Sequence, residues 1–248
     1  MSLPEIVSRE EWLSARKALL AKEKEATRAR DALNADRRRL PMVEIDKEYL
    51  FDGPDGKVRL VDMFDGRRQL IVQHVMFDPS WDDACPSCTA GIDELSPGLI
   101  EHLQSRETNF ALISRTPLAK IEDYRTRRGW PYAWYSSFGN DFNYDFHVTM
   151  DPSVAPIQYN YRDADELVDA GMSWLVEGKG TSEQPGMSCF LRDGDRVFHT
   201  YSAFARGVDH FGGAYGFLDL TALGRQEDWE EPKGRSGTDR GAVPNFEN

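Results

Sequence analysis

The stretch Gln69–Cys88, QLIVQHVMFDPSWDDACPSC, decides the fold. Its first nine residues, ending at Phe77, form an apolar run of the kind a buried strand presents. Its last four place two cysteines at Cys-x-x-Cys spacing. Beyond them Ile92, Leu95, Leu99 and Leu103 follow helical spacing, with Pro97-Gly98 expected to bend or split the helix. A strand that leads through a cysteine pair into a helix is therefore the centre of the chain.

Upstream of this centre, VRLVDMF (Val58–Phe64) is expected as another strand, followed by a turn at Asp65-Gly66. Downstream, NFALIS (Asn109–Ser114) is a further strand. PLAKIEDYRTRR follows as a helix, with Pro117 in the first turn, where its missing N–H costs nothing, and Gly129 as the stop. Trp130–Phe146 holds eight of the 28 aromatic residues, which is too aromatic for a solvent loop; it is expected as a lid or insertion packed on the sheet. Asp163–Leu175 resembles a short helix and GKGTSEQPG a loop. SCFLRDGDRVFHTYS is expected as two alternating strands joined by a hairpin at Arg192–Asp195. LDLTALGRQEDW has an aliphatic stretch, and residues 229–248 are expected as loosely held coil.

The 248 residues carry 30 Lys/Arg and 42 Asp/Glu, a net charge of −12, which argues against general affinity for nucleic acid or anionic membranes. The charge is uneven. Residues 1–40 hold ten Lys/Arg against seven Asp/Glu, so a +3 arm precedes a −15 body. In the arm Ser8 and Glu11 form a capping-box pattern, and Trp12, Leu19, Leu33 and Leu40 recur on multiples of seven. One long helix, or two broken near Asn34, is expected up to Pro41, with an apolar stripe that promotes a homodimer. The division is thus a helical arm (1–40), a main domain (41–228) and a tail (229–248).

Three cysteines are too few and too unevenly spread for the framework of a small secreted protein. The N-terminus lacks a basic segment followed by an apolar run, and no stretch of about 18 apolar residues occurs. The expected setting is reducing and cytoplasmic. There Cys85-Pro86-Ser87-Cys88 points to chemistry, because a cysteine at a helix N-terminus faces unsatisfied N–H groups that stabilise its thiolate. On this geometry Cys85 is the attacking thiolate and Cys88 the more buried resolving thiol. Asp82 and Asp83 are expected to oppose this by raising the pKa of Cys85. No Gly-rich loop follows a strand, so no organic cofactor is expected.

The chain resembles the thioredoxin-like superfamily, in which strand, Cys-x-x-Cys and helix are followed much later by a cis-proline that opens a hairpin beside the site. Pro185 is the matching position. FDPSWDDACPSC, SRTPLAKIEDY, GWPYAWYSSFGNDFNYDF, PGMSCFLRDG and FHTYSAFARG together look like a bacterial family of unknown function described as predicted dithiol-disulfide oxidoreductases. The resemblance implies an α/β thioredoxin-like fold, here with a helical N-terminal extension and an aromatic-rich insertion. It also implies a redox role without settling the substrate; the expected chemistry is attack by Cys85 on a protein or small-molecule disulfide, with an external reductant to recycle the pair. Trp81, the tryptophan nearest the pair, and Pro185 are the candidate substrate-binding residues. Ala84 stands where thioredoxins carry Trp, and His74 is the only ionisable side chain in a strand where they carry a carboxylate.

Three alternatives stay open at this level. A zinc site would need Cys189 and a histidine such as His199 to complete four ligands. A peroxiredoxin-like thiol peroxidase is near in fold, but Asp82 occupies the position where Thr or Ser usually stands. A binding or scaffold protein would carry the cysteines incidentally. Among auxiliary candidates, His199 would shuttle a proton or, as is commoner for a hairpin histidine, serve as a hydrogen-bonded packing residue; Arg115 would offset Asp82 and Asp83 from the carboxyl end of its strand or simply pair on the surface; and Cys189 is read as a buried bystander.

Overall fold

The computed structural model describes residues 4–178 and 180–211. Ser8 caps the first helix, α1 (Arg9–Arg37): its hydroxyl accepts the Glu11 N–H while the Glu11 carboxylate accepts the Ser8 N–H, so the capping box is formed. α1 runs unbroken through Asn34 and buries none of its residues. A short strand β1 (Val43–Glu44) follows, then the hairpin β2 (Leu50–Gly53) and β3 (Gly56–Arg59).

The run Val58–Phe64 is strand only as far as Arg59; Leu60–Phe64 coils into a 3-10 helix. Spacing explains the difference. Leu60, Met63 and Phe64 are the buried residues, and they lie three and four apart, a helical period rather than an alternating one. Asp62 fixes the start by accepting the Arg59 N–H and pairing with its guanidinium. Asp65 and Gly66 end it with φ of 47° and 77°.

β4 (Gln69–His74) comes next, then α2 (Pro86–Asp93) and α3 (Pro97–Gln104), which are separate because Ser96 caps a new start with its hydroxyl on the Leu99 N–H. β5 (Thr108–Ser114), buried at every position, and α4 (Leu118–Arg128) follow. Gly129 ends α4 in the left-handed conformation, at φ 69°.

The aromatic segment is structural core and not a lid. β6 (Trp134–Ser136) pairs parallel to β5, and α5 (Phe142–Asp145) packs on one sheet face. Trp130 and Trp134 fill the opposite face with Phe77 and Tyr124. Their indole N–H groups reach Asp93 and Ser114 at 2.8 and 3.0 Å, which is what allows both rings to be buried.

Beyond β7 (Thr149–Met150), Asp163–Leu175 forms two short helices, α6 (Ala164–Asp169) and α7 (Ser173–Glu177), parted by Gly171 at φ 75°. Within the expected loop, β8 (Ser182–Glu183) pairs with β7. β9 (Gly186–Asp193) and β10 (Arg196–Phe204) form the expected hairpin about Gly194-Asp195. The aliphatic stretch 218–229 and the tail 229–248 lie outside the described residues.

The main sheet has the order β1-β10-β9-β4-β5-β6-β2-β3. β4, β5 and β6 are parallel, while β9 runs antiparallel to β4 and β10 to β9. Four strands ordered β10-β9-β4-β5, with helices crossing between β4 and β5, make the fold thioredoxin-like. Side chains alternate across β4: Leu70, Val72 and His74 face one layer with Phe142 and Phe190, and Ile71 and Val75 face the layer containing α2. No helix among the described residues is long and apolar enough to cross a membrane.

Candidate functional site

Cys85 is the N-cap of α2, and Pro86 holds the first helical position. Its N–H donates to the Met76 carbonyl at 2.9 Å, and its own carbonyl accepts the Thr89 N–H at 2.9 Å, the first bond of the helix. The sulfur therefore sits at a fixed helix start, half-buried, with Cys88 one turn on and fully inside the core.

The two thiols are driven apart in acidity. A hydrogen bond from the Cys88 thiol, the N–H groups of Cys88 and Ser87 and the Ser87 side chain together overcome burial and bring the Cys85 pKa from 9.0 to about 6. Cys88 moves well above 9.0, because its proton is held on Cys85, it is buried and it lies beside the Cys85 charge. At neutral pH the pair is thus a thiolate and a thiol sharing one proton.

The expected opposition from Asp82 and Asp83 is not found. Both are exposed at the surface, where water screens them, and Arg127 takes Asp83 at 2.7 Å. They line an open groove of about 580 Å³ with Lys120, Asp123 and Arg127. Arg115 does not offset these two acids. Its guanidinium instead joins Asp78 and Glu183, each at 2.6 Å, and Glu183 also accepts the Thr149 hydroxyl at 2.8 Å. The Asp78–Arg115–Glu183 triad ties the loop that leads to Cys85 to the end of β5 and to the segment just before Pro185.

Pro185 stands immediately before Gly186, which is paired with His74 at the end of β4 from which the Cys85 loop departs. The Tyr159 hydroxyl donates to the Pro185 carbonyl at 3.3 Å. Gly186 has no room for a side chain, since a Cβ would meet the Phe204 ring at 2.9 Å and Val148 at 3.1 Å. Trp81 is 36% exposed on the same loop as Cys85, and Lys120 clamps that loop by donating to the carbonyls of Pro79 and Trp81, both at 2.8 Å.

His199 is separated from the dithiol by the sheet. Its ring packs on Phe146 and Phe190, and its Nε2 bonds the Ser202 hydroxyl at 2.7 Å. From there a buried chain runs through Ser188 to His74 Nε2, each link 2.8 Å. Burial lowers both imidazole pKa values, that of His74 to about 3. His74 thus lies on the sheet face opposite Cys85 and takes no part in the site. Cys189, opposite Ile71 in the register, faces the α2 side as a free thiol with its pKa raised to about 11 by burial. With His199 on the other face, the four ligands of a zinc site do not converge.

Asp78, Glu183, Tyr159 and Lys120 escaped the sequence reading. They carry no motif and reach the site from four different segments. Only the carboxyl-end position of Arg115 gave a signal, and it misidentified the partners.

The thioredoxin-like sheet with a dithiol at the start of α2 defines the class of protein. The chain belongs to the bacterial family of unknown function DUF899, whose model matches residues 1–240. None of the curated proteins matches it. Among solved structures it is similar to the peroxidoxin BcpB of Mycobacterium tuberculosis, at 13% identity over 68% of this chain and 92% of that one, with a TM-score of 0.45. The bacterioferritin comigratory protein of Xanthomonas campestris gives 9% identity, 62% and 79% coverage and a TM-score of 0.39. PrxQ of Xylella fastidiosa gives 8%, 66% and 84%, and 0.41.

Proposed function

We propose that this protein is a dithiol-disulfide oxidoreductase acting through Cys85 and Cys88. The observation that carries the reading is the placement of two neighbouring thiols at one helix start, Cys85 half-buried at the N-cap and Cys88 inside the core, an arrangement that sets their acidities apart. The Cys85 thiolate attacks one sulfur of a substrate disulfide, whose S–S bond breaks; the other substrate sulfur leaves and takes a proton from water. Once Cys85 is in the mixed disulfide, its negative charge and its hold on the Cys88 proton are both gone, so the causes that kept Cys88 protonated weaken together. Cys88 then loses its proton to water and attacks the Cys85 sulfur. The Cys85–Cys88 disulfide forms and the second substrate thiol is released. Two electrons pass from protein to substrate, and an external dithiol reductant restores the pair.

In this reading Trp81 and Pro185 border the surface that receives the partner, a protein or small-molecule disulfide. The test is a thiol titration at controlled potential on the wild type and on Cys85→Ser. A two-electron midpoint between about −120 and −300 mV, lost in the variant, is expected. A wild type that never forms the Cys85–Cys88 disulfide across that span ends the proposal. The low Cys85 pKa also suits a thiol peroxidase, and one assay separates the two. Peroxide turnover that needs Cys85 but survives Cys88→Ser with added thiol would favour the peroxidase.

A further inference from the structure

α1 spans 29 residues, about 43 Å of helix at 1.5 Å per residue, and buries none of them. Its C-terminal end meets the body, where the Arg37 guanidinium lies over the Tyr201 ring at 5.2 Å. Trp12, Leu19 and Leu33 stand 47%, 50% and 51% exposed, and with Ala26 they repeat every seven residues. Ala15 and Ala29 fall three residues after Trp12 and Ala26, on the adjoining line. Such a seam has the 3.5-residue period of a coiled coil, and among the described residues no element covers it.

We propose that α1 pairs with α1 of a second copy of this chain as a parallel, in-register coiled coil. The flanking charges select this occupant and orientation. One flank of the seam carries Glu11, Ala18, Glu25 and Ala32, and the other Arg16, Glu23, Arg30 and Arg37. In a parallel pair each residue of the first flank faces the residue five positions later in the second copy. Glu11 then meets Arg16, Glu25 meets Arg30, and the two alanines meet Glu23 and Arg37. Every charged pair across the flanks is of opposite sign. Reversing one helix about the same seam sets Arg16 against Arg37 at both ends, a like-charge contact, and keeps only the Glu23–Arg30 pairs as opposite-sign contacts, so the flanks favour the parallel arrangement. In register Lys22 and Asp36 each meet their own copy in the second line of the seam, like-charge contacts that weaken the pairing, so the dimer is reversible and dependent on concentration.

The experiment is sedimentation equilibrium on the full chain, with helicity checked by circular dichroism in each variant. The wild type is expected to approach twice the 28.2 kDa chain mass as concentration rises. Glu25→Arg and Arg30→Glu each place like charges across the seam, and each alone is expected to weaken association about tenfold. An equimolar mixture of the two variants restores every opposite-sign pair and is expected to regain wild-type association as a heterodimer. Leu19→Lys with Leu33→Lys is expected to give a monomer of unchanged helicity. A wild type that stays monomeric, a dimer indifferent to the double lysine variant, or a mixture no tighter than its components would overturn the proposal.

Discussion

Arg115 Nε lies 2.6 Å from Glu183 Oε1, and the two side chains are 14% and 2% exposed. A carboxylate held this deep depends on its partner, and burial alone already pushes the Glu183 pKa upward. Arg115→Met leaves Glu183 and Asp78 without their shared cation. The expected loss is about 3–5 kcal/mol in urea unfolding. Arg115→Lys should recover only part of it, because one ammonium cannot span both carboxylates as the guanidinium does. A loss below about 1 kcal/mol for the Met variant would show that the triad is an ordinary surface network.

Cys85 should alkylate with iodoacetamide along a pH curve centred at about 6, while Cys88 stays unreactive there. The largest cause of the depression is the Cys88 thiol, so Cys88→Ala should move the midpoint upward, towards 9.0. The sign extends to stability. A depressed folded pKa stabilises the reduced protein above 9.0 and loses that contribution as pH falls through about 6. A Cys85 midpoint that does not move in Cys88→Ala would contradict the hydrogen-bonded pair.

His74 offers a second pH dependence on the opposite sheet face. Its pKa falls from 6.5 to about 3, chiefly by burial, so below 6.5 the unfolded chain takes up a proton that the folded one refuses. Stability should drop as pH falls from 6.5 towards 3, by about 1.4 kcal/mol per unit from this group. His74→Gln, which keeps a hydrogen bond to Ser188, should flatten the curve by that amount. Equal slopes in wild type and variant would refute the assignment.

Gly186→Ala tests the close packing next to Pro185. The added methyl meets the Phe204 ring at 2.9 Å and Val148 at 3.1 Å. Overpacking here should destabilise by about 1–3 kcal/mol, read from urea unfolding. A neutral result would mean that Phe204 turns aside freely.

The sequence carried the central architecture wherever one local signal was strong. The apolar run ending at Phe77, the helix stop at Gly129 and the Asp-Gly hairpin each predicted the element observed. Val58–Phe64 misled because an apolar stretch of seven residues suits either period, and only the burial of Leu60, Met63 and Phe64 shows which one is used. The aromatic segment was legible as a packed insertion but not as a strand, because composition does not say which strand a short run will join, and β6 enters the sheet through long-range pairing with β5. At the site the cysteine pair was legible from its position between strand and helix. The partners of Arg115 were not, since Asp78 and Glu183 come to it only through tertiary folding.

That clamp also bears on the order of events during folding. Asp78 is 37 residues from Arg115, and Glu183 is 68 residues further on, so both contacts must meet the entropy cost of closing large loops. Cys85 and Cys88, three residues apart, can meet in any nascent chain. The donors that activate Cys85, the Cys88 thiol first and then the Cys88 and Ser87 amides, are aimed at it by a formed helix start, and that start is anchored through Met76 to the sheet. Before that start has formed, Cys85 is expected to keep the acidity of an ordinary thiol, so its reactivity belongs to the folded chain alone.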